Sequence, residues 1–144
     1  MNRKMNENKI IFKLNKHKRL WEVMPDYILK IVRESNGEGD MSGFVSLAKH
    51  RALVDLFPKE GYVVYDCFAC QFTKNYEELF LDEVDEKCCK YCPLDWKDGI
   101  QCGFRGNPLY VLEHLNPKKL VEERVRSLCK KISETPVKGG IDTE

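Results

Sequence analysis

The stretch from Leu14 to Glu34, LNKHKRLWEVMPDYILKIVRE, carries the fold class. Leu14, Leu20, Trp21, Val23 and Met24 are spaced to bring apolar side chains to one side of a helix, with Asn15 as its N-cap. Pro25 has no amide hydrogen and crowds the preceding turn, so it opposes a helix interior but suits the first turn of a new helix. Tyr27, Ile28, Ile31 and Val32 then recur at helical spacing as far as Glu34. Two helices meeting at Pro25 are expected. On the C-terminal side, Ser35-Asn36-Gly37-Glu38-Gly39-Asp40 has the composition of a loop. Ser42 can cap a further helix whose stripe is Phe44, Leu47, Ala48, Ala52, Leu53 and Leu56, closed by Pro58 and Gly61. Asn107-Pro108 places a cap and a first-turn proline ahead of a helix to about Leu115. Asn116-Pro117 repeats the device for a last helix with the stripe Leu120, Val121, Val125, Leu128 and Ile132. Tyr62-Val63-Val64-Tyr65 reads as a short strand or extended lead. The expectation is a mainly α chain, a small helical domain around a different kind of centre.

That centre is Cys67-Phe68-Ala69-Cys70 and Cys89-Lys90-Tyr91-Cys92, two C-x2-C pairs with eighteen residues between them. Two residues between cysteines let a tight turn aim both sulfurs at one point, and two such turns supply four thiolates for tetrahedral zinc. Cys67, Cys70, Cys89 and Cys92 are the candidate ligands of a structural Zn2+ in a zinc-knuckle-like, four-cysteine loop region. Cys88 paired with Cys92 is also compatible with knuckle geometry, and Cys102 is a further candidate. An iron–sulfur cluster also uses four cysteines, but the paired arrangement favours zinc. Cys129 falls on the apolar side of the last helix and reads as a small core residue. A redox-active CxxC wants a βαβ pattern around it, which the chain lacks. His17 and His50 stand between cationic neighbours, which discourages metal binding, whereas His114 could replace one thiolate. There is no HExxH, GxSxG or phosphate-cradling glycine string, and catalysis is not expected.

At 144 residues, 42% hydrophobic and 33% charged, the chain has room for one domain. Residues 1–8 are expected to be disordered, 9–134 to form the helical zinc-stapled domain and 135–144 a flexible tail. A formal net charge of +1 gives no overall electrostatic case for nucleic acid. Charge is uneven, however. Residues 1–35 carry nine Lys/Arg against four Asp/Glu, residues 76–98 three against eight, and residues 115–133 six against two. Solvated helix faces and intramolecular complementarity account for this pattern, with a nucleic-acid surface on the basic segments as the alternative. Tyr65, Phe68, Phe72, Tyr91 and Trp96 crowd the cysteines, either to cover a small metal site or to stack on bases. No apolar run approaches the roughly 18 residues of a membrane span, and the start lacks the apolar core of a signal peptide. With seven cysteines, an odd count, reduced thiolates in a cytoplasm are the expectation.

His17-Lys18-Arg19-Leu20-Trp21-Glu22, Asp66-Cys67-Phe68-Ala69-Cys70, Cys89-Lys90-Tyr91-Cys92-Pro93-Leu94-Asp95-Trp96 and Cys102 follow one another in an order that resembles a group of small cysteine-containing phage and prophage proteins of Firmicutes. Leu109-Tyr110, Glu123-Arg124-Val125 and Thr135-Pro136-Val137-Lys138 are similar too. The resemblance covers most of residues 16–138 and favours Cys89 over Cys88, since the group's second pair looks like CxxCPLxW. Residues 36–62 and 73–88 are longer here than in that pattern. The group has no assigned chemistry. The likeness implies a phage accessory protein in the bacterial host cell, and the absence of a catalytic constellation points to docking on a host protein.

Overall fold

A computed structural model describes residues 11–59, 72, 92–96 and 105–144. In chain order these form β1 (Ile11–Phe12), α1 (Leu14–Glu34), α2 (Met41–Leu56), α3 (Pro108–Glu113), a 3-10 turn (Pro117–Lys119), α4 (Glu122–Ser133) and β2 (Asp142–Thr143). The chain is mainly helical, as the periodicity predicts.

The two helices expected on either side of Pro25 are one helix of 21 residues. Leu20, Trp21, Met24, Ile28, Ile31 and Val32 form a single buried stripe that runs past the proline, which is itself buried. An interior proline costs about 3 kcal/mol. Burying each large apolar side chain returns about 1.5–3 kcal/mol, so a stripe this long outweighs the missing bond. The start moves as well: Lys13 is the N-cap and Asn15 lies inside the helix. The C-terminus closes on Asn36 and Gly37, both with positive φ (55° and 72°), and the Gly37 amide donates to Val32 O at 2.9 Å. That bond satisfies a carbonyl left over at the helix end.

α1 packs on both α2 and α4, and α3 touches α2 and α4. On α2 the buried positions are Met41, Val45, Ala48, Ala52 and Leu53. Leu47, expected in the stripe, is 40% exposed, and Val45 faces the core instead. Positions 41, 45, 48 and 52 fall on one side of a 3.6-residue helix, and position 47 does not. Asp40, rather than Ser42, occupies the N-cap, and the Ser42 hydroxyl donates to the Asp40 carboxylate at 2.6 Å.

Asn107 caps α3 as expected, its side-chain oxygen accepting from the Leu109 amide at 2.8 Å. Asn116-Pro117 builds the 3-10 turn and not the last helix, which begins at Glu122. Val121 is left 59% exposed at the N-cap, outside the buried stripe of Val125, Leu128, Cys129 and Ile132. Glu122 and Glu123 in the first turn and Lys130 and Lys131 in the last complement the helix dipole.

Residues 135–144, expected as a flexible tail, fold back onto the body. Val137 forms an antiparallel bridge with Leu94, and β2 pairs in parallel with β1. The Glu144 amide donates to Phe12 O at 3.2 Å. The physical reason is local: Thr135 is buried with its hydroxyl donating to Lys131 O at 2.8 Å, and the chain leaves α4 directed at the Leu94 segment. The expected disorder of residues 1–8 lies outside the described residues.

Candidate metal centre and adjoining cleft

Cys92 is the described member of the four candidate zinc ligands; Cys67, Cys70 and Cys89 lie outside the described residues, as do the alternates Cys88 and Cys102. Cys92 is half-buried and packs against the apolar core. The next three residues are held firmly. The Lys138 amide donates to Pro93 O at 2.8 Å, and the Asp95 amide donates to Pro136 O at 2.7 Å. Between these two bonds Leu94 is buried in the core. The second cysteine pair is thus anchored at its C-terminal edge to the segment that leaves α4. A thiolate ligand at Cys92 fits this setting, because a structural metal needs donors fixed in position. Among the described residues, no cluster of three or more His, Cys, Asp or Glu side chains could hold a metal ion.

The other sulfur and the histidines take different places. Cys129 is fully buried on α4, and burial pushes its thiol from 9.0 up to about 12, which keeps it neutral and unreactive. His17 is also buried, with its ring 5.5 Å from that of Phe12 and Nε2 3.3 Å from Ile132 O. His114 stacks on Tyr110 at 4.0 Å, with Nδ1 2.7 Å from the Tyr110 carbonyl oxygen at the end of α3. Of the aromatics near the cysteines, Phe72 and Trp96 are both in the core, and Phe72 meets Phe12 edge-on at 6.2 Å. For these two residues the structure favours covering over base stacking. Tyr65, Phe68 and Tyr91 lie outside the described residues.

Beyond the anchored segment lies a cleft of about 790 Å³. Arg124, Leu128 and Lys131 recur at i, i+4 and i+7, so one face of α4 makes one wall. Pro108 and Val111 of α3 contribute apolar lining, and Asp95, Trp96 and Pro136 complete it. The sequence reading missed this cleft. Arg124 and Lys131 look like solvated helix charges until the Asp95–Trp96 segment is placed beside them.

Among the described residues, no helix is long and apolar enough to cross a membrane. No family model, no curated protein and no solved structure matches the chain.

Proposed function

We propose that the chain is a non-catalytic binding module of the phage-accessory type, working in the cytoplasm of a bacterial host cell. It holds one structural Zn2+ on Cys67, Cys70, Cys89 and Cys92 and docks on a host protein. The observation that carries the reading is the anchoring of Pro93–Asp95 to Pro136–Lys138 by two backbone hydrogen bonds. A metal gripped at Cys92 crosslinks the centre of the chain to the end of α4, and its binding free energy adds to the folding free energy. Four thiolates close the coordination sphere and leave no position for substrate, which favours a stapling role over metal catalysis.

Replacing Cys70 with Ser, or adding a strong chelator, is expected to release the metal and lower the thermal midpoint. Metal loss with unchanged thermal stability contradicts the reading. A nucleic-acid role for the basic 9–19 and 118–131 segments is the alternative. It requires binding that is tight at low salt and falls steeply as salt rises. Within the second segment Arg126 is already paired with Asp26 at 2.8 Å and Glu122 at 3.2 Å, and Lys118 with Glu38 at 3.3 Å. Those pairs lower the charge offered to phosphates and favour the protein partner.

A further inference from the structure

Trp96 lines the cleft beside α4 and is 9% exposed, yet its indole N–H has no acceptor among the described residues. A buried donor left without a partner is uncommon and unfavourable, so an acceptor brought in from outside has something to gain. Two cations line the same cleft, Arg124 and Lys131, and neither has an ion-pair partner among the described residues. Their neighbours differ: Arg126 is held by Asp26 and Glu122, and Lys130 lies 4.0 Å from Glu134. Trp21 also has an indole N–H without an acceptor, but the hollow beside it contains the already engaged Arg126 and Lys130. Of the two hollows, the Trp96 cleft offers both an open donor and unpaired cations.

We propose that this cleft docks an extended peptide of a partner protein, one acidic side chain flanked by apolar residues. The proposal rests on the protein-docking reading above and names the chemistry of the partner. Arg124 and Lys131 are seven residues apart, about 10 Å along α4. Three residues of extended chain span the same distance at about 3.3 Å each. The peptide carboxylate sits with Arg124 and Lys131, a main-chain carbonyl accepts from the Trp96 indole, and apolar side chains lie on Pro108, Val111 and Leu128. Asp95 and Glu134 also line the cleft. They disfavour a polyanion, so a single carboxylate fits better than a run of phosphates.

The test uses the full ¹⁵N-labelled chain and follows the two indole N–H resonances, assigned by backbone-linked experiments. The probe is a pool of capped tetrapeptides, acetyl-X-Glu-X-X-amide with X drawn from Leu, Phe, Val and Pro; the control pool has Gln for Glu. The Glu pool is expected to shift the Trp96 resonance saturably, with the Gln pool about tenfold weaker. Arg124→Gln with Lys131→Gln, both on an exposed face, is expected to reduce the Glu pool to the level of the control. A Trp96 resonance unmoved by the Glu pool overturns the proposal, as does equal binding of the two pools. So does full binding by the double variant, or displacement of the same resonance by an oligothymidylate. Metal analysis of the same sample separates the two readings. A zinc-bearing chain with an unmoved resonance overturns the cleft alone, and a metal-free chain that binds the Glu pool supports the cleft while overturning the zinc staple.

Discussion

Cys129 and His17 illustrate what a single position in a helical pattern can and cannot reveal. Cys129 lies one residue after Leu128 and four after Val125 on a stripe that the sequence shows plainly, and it is buried where the stripe puts it. His17 precedes Trp21 and Met24 by four and seven residues and belongs to the buried side of α1. Its flanking Lys16 and Lys18 conceal this, because neighbours in sequence point elsewhere on a helix. The buried thiol has a measurable consequence. It stays protonated in the fold up to about 12 but ionises in the unfolded chain near 9.0. Its contribution to stability is constant below pH 9 and is lost as pH rises from 9 towards 12, by up to about 1.4 kcal/mol per pH unit. Urea unfolding at pH 8, 9 and 10 should show a steeper alkaline loss for the wild type than for Cys129→Ala. Parallel pH profiles would mean that Cys129 is not buried as described.

Among the secondary-structure elements, periodicity identified the helices better than it identified their ends. Pro25 read as a boundary because a proline opposes a helix interior, yet the stripe from Leu20 to Val32 is long enough to carry α1 through it. Asn107 was legible as a cap because its oxygen needs only the amide two residues on, whereas the identical Asn116-Pro117 string yields a 3-10 turn. The two strings are alike locally, and only the packing of the segments after them tells them apart. Two glycines allow the elements to be tested in opposite directions. Gly37 ends α1 with φ +72°, and a Cβ there would meet Pro117 O at 3.1 Å and Lys118 Cα at 3.2 Å. Gly37→Ala is expected to lower unfolding free energy by about 1–2 kcal/mol, from the left-handed backbone alone. Gly43 lies within α2 with nothing near its missing Cβ. Gly43→Ala should raise stability by about 0.5–1 kcal/mol. Chemical denaturation of both variants checks the pair, and the same sign for both would contradict these placements.

Across the molecule, the connection that matters most joins the centre of the chain to its last residues. Polar, glycine-containing sequence after Ser133 reads as a tail, since no periodicity marks it and a bridge partner some forty residues away is invisible locally. The structure ties Pro93–Asp95 to Pro136–Lys138 and β1 to β2. Truncation after Glu134 removes three of these backbone bonds, to Pro93, Asp95 and Phe12. At about 1 kcal/mol each it should cost about 3 kcal/mol. A truncated chain as stable as the full one would show that the return of the tail is incidental. The candidate metal centre was legible from the spacing of its cysteines, and its anchor was not, because the anchor depends on the tail. The adjoining cleft was hidden for the same reason, needing Asp95–Trp96 beside α4 before Arg124 and Lys131 became walls. The stapled centre stands or falls with the zinc itself. Elemental analysis of the purified chain, with its absorption spectrum, is the decisive measurement. One zinc per chain and no visible absorbance is the predicted result; iron with a brown charge-transfer band, or no metal at all, would contradict it.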